Sequence, residues 1–185
     1  MTPTLIETDT SNPDVFKSYN EHCNTIICEI DSEEGWTQFL TACNDLRDRP
    51  IVVNCGARNQ NSISTWGETI SALQIPHKTF WVINNELDSV ILLNEYAKTV
   101  PVETVTVVKN GFYGKEEVFI PFENSKIRQQ VTNQLYLPKM LLKAANEFYS
   151  KRRPLHLIAE ALPFGERILF ESWYNKTRAL ISGAF

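Results

Sequence analysis

Five short runs rich in Val and Ile recur along this chain, at Leu5-Ile6, Thr25–Ile30, Ile51–Val53, Thr79–Ile83 and Val105–Val108. Each breaks off at polar residues, and stretches with helical spacing lie between them. Strands of that composition alternating with helices predict an α/β fold in three layers, a mostly parallel sheet with helices on both faces. In such sheets ligands bind outside the carboxyl ends of the strands. The polar residues that close each run therefore matter most for function.

Helix signals fill the gaps. Asn12 as N-cap and Pro13 at the first helical position open a short helix to about Tyr19. Asp31 or Ser32 caps a second, whose Trp36, Phe39, Leu40 and Cys43 fall at i, i+3, i+4 and i+7 as a core stripe. Further helices are expected near Ser62–Leu73 and Leu87–Ala97. Beyond Gly114 the rhythm changes. Glu117–Pro121 reads as an edge strand, Pro138 starts a helix through Ala145, and Phe164–Ile181 forms a last helix with Ile168, Leu169, Trp173 and Leu180 on one face. The expectation is one domain over residues 1–185, with core βα units to about residue 114 and a helical part after it.

Composition removes several classes of function. With 43% hydrophobic and 22% charged residues the chain is globular in type, and no window approaches a membrane-spanning run. Acidic residues near the N-terminus do not read as a secretion signal, so the cytoplasm is the expected compartment. Cys23, Cys28, Cys43 and Cys55 form no C-x-x-C pair, and three scattered histidines do not complete a zinc set. No metal site is predicted. Charge is uneven: residues 1–100 carry 14 acids against 6 bases, residues 101–185 carry 8 against 12. Lys139, Lys143 and the run Lys151-Arg152-Arg153 could face DNA or an acidic partner, although a solvated helix end and loop is the simpler account.

Four strand ends can meet at one edge: Glu7 with Asp9, Asn54 with Arg58, Asn84 with Asn85, and Lys109 with Asn110. Glu7 and Asp9 would share a side of an extended strand, because side chains alternate with period two. A small polar ligand with a phosphate or a nucleobase suits such a set. Yet these 185 residues contain no G-x-x-x-x-G-K-[ST] and only seven glycines, so no run of backbone amides is present to cradle a triphosphate. No G-x-S-x-G elbow occurs either.

Four segments, "LIETDTSNPD", "PIVVNCGARN", "FWVINNELDSVILLNEY" and "VTVVKNGFYG", follow in an order and spacing that resemble the ParA/MinD superfamily of deviant-Walker ATPases. The likeness is to its divergent plasmid stability and conjugation branch (StbB- and TraL-like). It covers about residues 5–114, and "LPFGERILFESWYNKTRAL" follows that branch more loosely. The resemblance implies that Asp9 is the catalytic carboxylate that orients water or meets magnesium's shell. It implies nucleotide contacts from Glu7, Asn12, Asn54 and Asn110, with Asn110 reading the adenine, while Arg58, which has no secure counterpart in the family, reads as a phosphate-contacting or interface residue. Asn54 stands where the family carries an aspartate, and an amide has no charge with which to hold magnesium.

In that family a strand, the Walker A loop and a helix precede the segment matched by Glu7-Thr8-Asp9, and the strand lies inside the sheet. Here Met1 is only eight residues before Asp9. The expected fold is thus P-loop NTPase-like without its first strand, Walker A loop and first helix, through natural loss or a start codon placed too far downstream. Three functions follow. The first is a domain inert by itself that acts by association in plasmid or mobile-element maintenance or mobilisation, as a homodimer or with DNA or a partner protein. The second is a shortened product of a genuine ATPase, with ATP and magnesium as cofactors once a Walker A unit is supplied. The third is a non-nucleotide α/β module that binds DNA or protein.

Overall fold

The structure, a computed structural model, describes residues 2–56 and 62–184. In order these form β1 (Thr4–Glu7), α1 (Asp14–Tyr19), β2 (Asn24–Ile27), α2 (Glu33–Asp45), β3 (Ile51–Asn54), α3 (Ser62–Leu73), β4 (Thr79–Ile83) and α4 (Leu87–Tyr96). After them come β5 (Val105–Asn110), α5 (Ile120–Glu123), β6 (Asn133–Leu137), α6 (Leu142–Tyr149), α7 (Ile158–Ala161) and α8 (Phe164–Ser182). The class is α/β, as the alternation predicts. The described strands pair as two small parallel sheets, ordered β2-β1-β3 and β4-β5-β6. The chain divides accordingly into one compact unit of residues 1–75 with 146–158 and another of residues 76–145 with 159–185.

In the first unit β1 is central, and all four of its residues are buried because a partner strand lies on each side and packing covers both faces. Ile6 joins Cys28, Ile30, Phe39, Cys43 and Ile70 in one apolar cluster. The predicted i, i+3, i+4, i+7 stripe of α2 faces this cluster, and the ring centroids of Trp36, Phe39 and Trp66 lie 5.1–5.7 Å apart. Ser32 caps α2 through a hydrogen bond from the Gly35 amide, 3.0 Å long. Residues 146–158 return to this unit. There the Tyr19 hydroxyl accepts the Leu155 amide at 3.2 Å, and Arg152 pairs with Asp14.

In the second unit β5 is central and buried along Val105–Lys109. Val90, Leu93 and Tyr96 of α4 supply core, while Ile91 stays half exposed. Three expectations are corrected here. Glu117–Pro121 is no edge strand: Phe119 and Phe122 are both buried at helical spacing, and Pro121, which cannot donate to a ladder, sits in the first turn of α5. The third strand is instead β6, in register Thr106↔Asn133 to Asn110↔Leu137. The helix expected from Pro138 begins only at Leu142. On α8, Ile168 and Leu169 face solvent, 50% and 61% exposed, and the packed face is Phe170 and Thr177 beside Trp173. The Trp173 indole N–H donates to the Pro138 carbonyl at 2.7 Å.

Candidate functional site

β1 stops at Glu7, so period-two alternation does not extend to Asp9. The Glu7 carboxylate is completely buried. A charge in such a place persists only when hydrogen bonds replace water, and here three donors converge. Oε1 accepts the Asn54 side-chain amide at 2.7 Å and the Asp9 backbone N–H at 3.0 Å, and Oε2 accepts the Phe16 backbone N–H at 3.2 Å. Phe16 is the third residue of α1, so Glu7 satisfies one of the amides that a first helical turn leaves unpaired.

Asn12 was the expected cap. The residue preceding α1 is instead Pro13, which has no side-chain acceptor and makes no capping bond. Asn12 donates its backbone N–H to Asp9 Oδ1 at 3.1 Å and its side-chain amide to Asp14 Oδ2 at 3.0 Å. Asp9 Oδ1 also accepts the Ser11 hydroxyl at 2.7 Å. Gly56 lies against this carboxylate, and a Cβ there would come within 3.1 Å of Asp9 Cγ. Asp9 thus ties down the turn between β1 and α1.

β3 lies beside β1 with Asn54 in register with Glu7. Its side chain donates to Glu7, while its carbonyl accepts both the Thr8 backbone N–H at 2.9 Å and the Thr8 hydroxyl at 3.0 Å. This arrangement explains the amide. An aspartate at 54 would replace the amide donor with a second acceptor and set two carboxyl groups at hydrogen-bonding distance, a repulsion that burial strengthens. Thr8 and the Phe16 amide were not foreseen as members of this cluster. The only sequence signal for Thr8 is a hydroxyl between two acids at a strand's end. Cys55 retains exposed surface, yet the protein packed around its thiol pushes the group up to about 11, with Glu7 adding to the rise and Thr8 opposing it.

Glu7, Asp9, Asn12 and Asn54 are therefore brought together within the first unit. Arg58 lies outside the described residues. Asn110 belongs to the second unit, where its Oδ1 accepts the Phe112 N–H at 3.0 Å and its carbonyl accepts the Tyr113 N–H at 3.1 Å. Lys109 is buried and committed: its ammonium pairs with Glu123 at 2.5 Å and lies 6.0 Å from the Phe122 ring centroid. Arg128 holds the other Glu123 oxygen at 3.0 Å. Burial raises the Glu123 carboxyl, and the bonds from Lys109 and Arg128 outweigh that and bring it below the ordinary glutamate value.

The residues present do not fit the magnesium site that the resemblance implies. Glu7 is buried and holds three internal donors, and Asn54 brings no charge. Among the described residues no group of three or more His, Cys, Asp and Glu side chains is placed to hold a metal ion. The basic run is also largely spoken for. Lys151 and Arg153 both pair with Glu147, Arg152 with Asp14, and Lys143 with Glu166. Lys139 sits over the Phe112 ring, 5.2 Å from its centroid. No helix among the described residues is long and apolar enough to cross a membrane.

No family model matches this chain, and no solved structure matches it. It is 36% identical over 187 residues to Protein MobD of Acidithiobacillus ferrooxidans, a match that covers 97% of this chain and 82% of that protein. Identity at that level across nearly the whole chain means common descent: the chain belongs to the MobD family.

Proposed function

We propose that this MobD-family protein acts in the mobilisation of a plasmid or other mobile element, as a ParA/MinD-like α/β domain that works by association and turns over no ATP on its own. The family name supports the process. The parallel pairing of β1 with β3, which sets the Glu7 and Asn54 strand ends side by side, supports the ParA/MinD-like reading. One observation carries the inertness: the groups that would meet nucleotide and magnesium are used on each other. Glu7 takes three internal donors, Asn54 is one of them, and Asp9 holds its own turn. Freeing them for a ligand would leave buried polar groups unpaired, at about 1–3 kcal/mol each.

Among the described residues each sheet ends in edge strands, β2 and β3 in one and β4 and β6 in the other. Such unpaired edges favour association with another chain, and a homodimer is part of the proposal. The test is calorimetric titration of ATP and ADP with magnesium, together with a turnover assay. The expected result is no turnover and no micromolar affinity. ATP hydrolysis that disappears in Asp9→Ala would replace this reading with a working ATPase. A monomer mass in light scattering across the micromolar range would remove the homodimer.

A further inference from the structure

The carboxyl end of β5 runs into Asn110-Gly111-Phe112-Tyr113-Gly114, a loop that presents two aromatic rings to solvent. Phe112 is 65% exposed and Tyr113 46%, with their rings edge to face at 5.3 Å between centroids. Leaving a phenylalanine ring in water forfeits most of the free energy its burial would return, so the position asks for a reason. The loop holding it is not loose. Asn110 accepts the Phe112 and Tyr113 amides, the Gly111 amide donates to the Leu137 carbonyl at 2.8 Å, and the Tyr136 hydroxyl donates to the Gly114 carbonyl at 3.2 Å. Gly111 is pressed so closely against β6 that a Cβ would stand 2.6 Å from the Leu137 oxygen and 2.7 Å from the Tyr136 hydroxyl oxygen. The backbone is pinned at four points, and the rings are what it displays.

Charge surrounds the rings. The Lys139 ammonium lies over Phe112, and exposed Lys115 follows Gly114 in the chain. These cations differ from Lys143, Lys151, Arg152 and Arg153, which meet the protein's own carboxylates. Rigid, exposed aromatic rings with lysines alongside form the arrangement on which unpaired bases stack while their phosphates meet cations. A duplex, whose bases are already stacked on one another, offers no ring face to such a platform. The geometry points to single-stranded nucleic acid as the ligand of this loop: bases against Phe112 and Tyr113, phosphates toward Lys139 and Lys115. Glu116 and Glu117 come next in the chain, so stacking carries more of the affinity than charge and the salt dependence is shallow.

Fluorescence anisotropy tests this on the whole protein, with a labelled oligothymidine of about 15 nucleotides and a duplex of equal length. The single strand binds more tightly than the duplex. Phe112→Ala combined with Tyr113→Ala weakens single-strand binding by about tenfold or more, while Phe112→Trp preserves it. Circular dichroism of each variant matches the parent, since both side chains lie at the surface. Three results would overturn the assignment: no single-strand binding by the parent, equal affinity for the duplex, or an alanine variant that binds as the parent does.

Discussion

The carboxyl ends of β1 and β5 occupy equivalent places, each the last residues of a central parallel strand, and they are built in opposite ways. At β1 the polar groups turn inward: Glu7 is sealed off and meets Asn54, Asp9 and Phe16. At β5 the polar groups serve the backbone, Asn110 fixing its own turn, and apolar rings are pushed outward. A polar strand end is thus not in itself a binding site. What separates a junction from a platform is whether its side chains are spent on internal bonds, as at Glu7, or displayed to solvent, as at Phe112. By that measure the first end is closed and the second open.

The largest effect that would test this contrast is at Glu7. Glu7→Ala strips the acceptor from three donors at once and should cost roughly 3–4 kcal/mol in urea unfolding. A loss below about 1 kcal/mol would mean that water reaches the cluster and that it is no sealed junction. Asn54→Asp, nearly isosteric, should cost about 2–3 kcal/mol at neutral pH by facing carboxylate with carboxylate. An unchanged midpoint would return Asn54 to the list of ligand contacts. In the second unit Glu123→Gln sharpens the picture through pH. The folded carboxyl lies below its ordinary value, so its contribution is complete above that value and fades as pH falls through the lowered one. The variant's stability should therefore vary less with pH on the acid side, and at neutral pH it should lose only about 1 kcal/mol, because a carboxylate with 38% of its side chain exposed is screened by solvent. Smallest of all, Phe112→Ser should shift the midpoint by no more than about 0.5 kcal/mol, since the ring is 65% exposed.

Much of the architecture is legible in single residues. The Trp36, Phe39, Leu40 and Cys43 spacing reads directly as the buried face of α2, and the Thr79–Ile83 run is β4 to the residue. What escaped reading has physical causes. β6 opens with Asn133 and Gln134, polar because the strand lies at a sheet edge, and nothing local marks it as paired. Leu169 of α8 has the hydrophobicity of a core residue yet is 61% exposed. Around the site, Glu7, Asp9 and Asn54 lie together in the first unit, but a list of polar side chains does not reveal that they bind one another. Nor does the run Lys151-Arg152-Arg153 disclose that its partners are Glu147 and Asp14.

The ion pair between Arg152 and Asp14 joins residues 138 positions apart, and it carries a message about time. The first unit is assembled from the chain's opening and a late return segment, with residues 76–145 synthesised between them. A ribosome adds about 5–20 residues per second, so the opening portion waits several seconds for Leu155 and Arg152 to arrive. Through that interval the surface of α1 that Phe148 and His156 will cover, at Tyr19, stands open. The order of birth thus interleaves the two units: the first to begin is complete only once residue 158 has emerged, and the other still waits for residues 159–185.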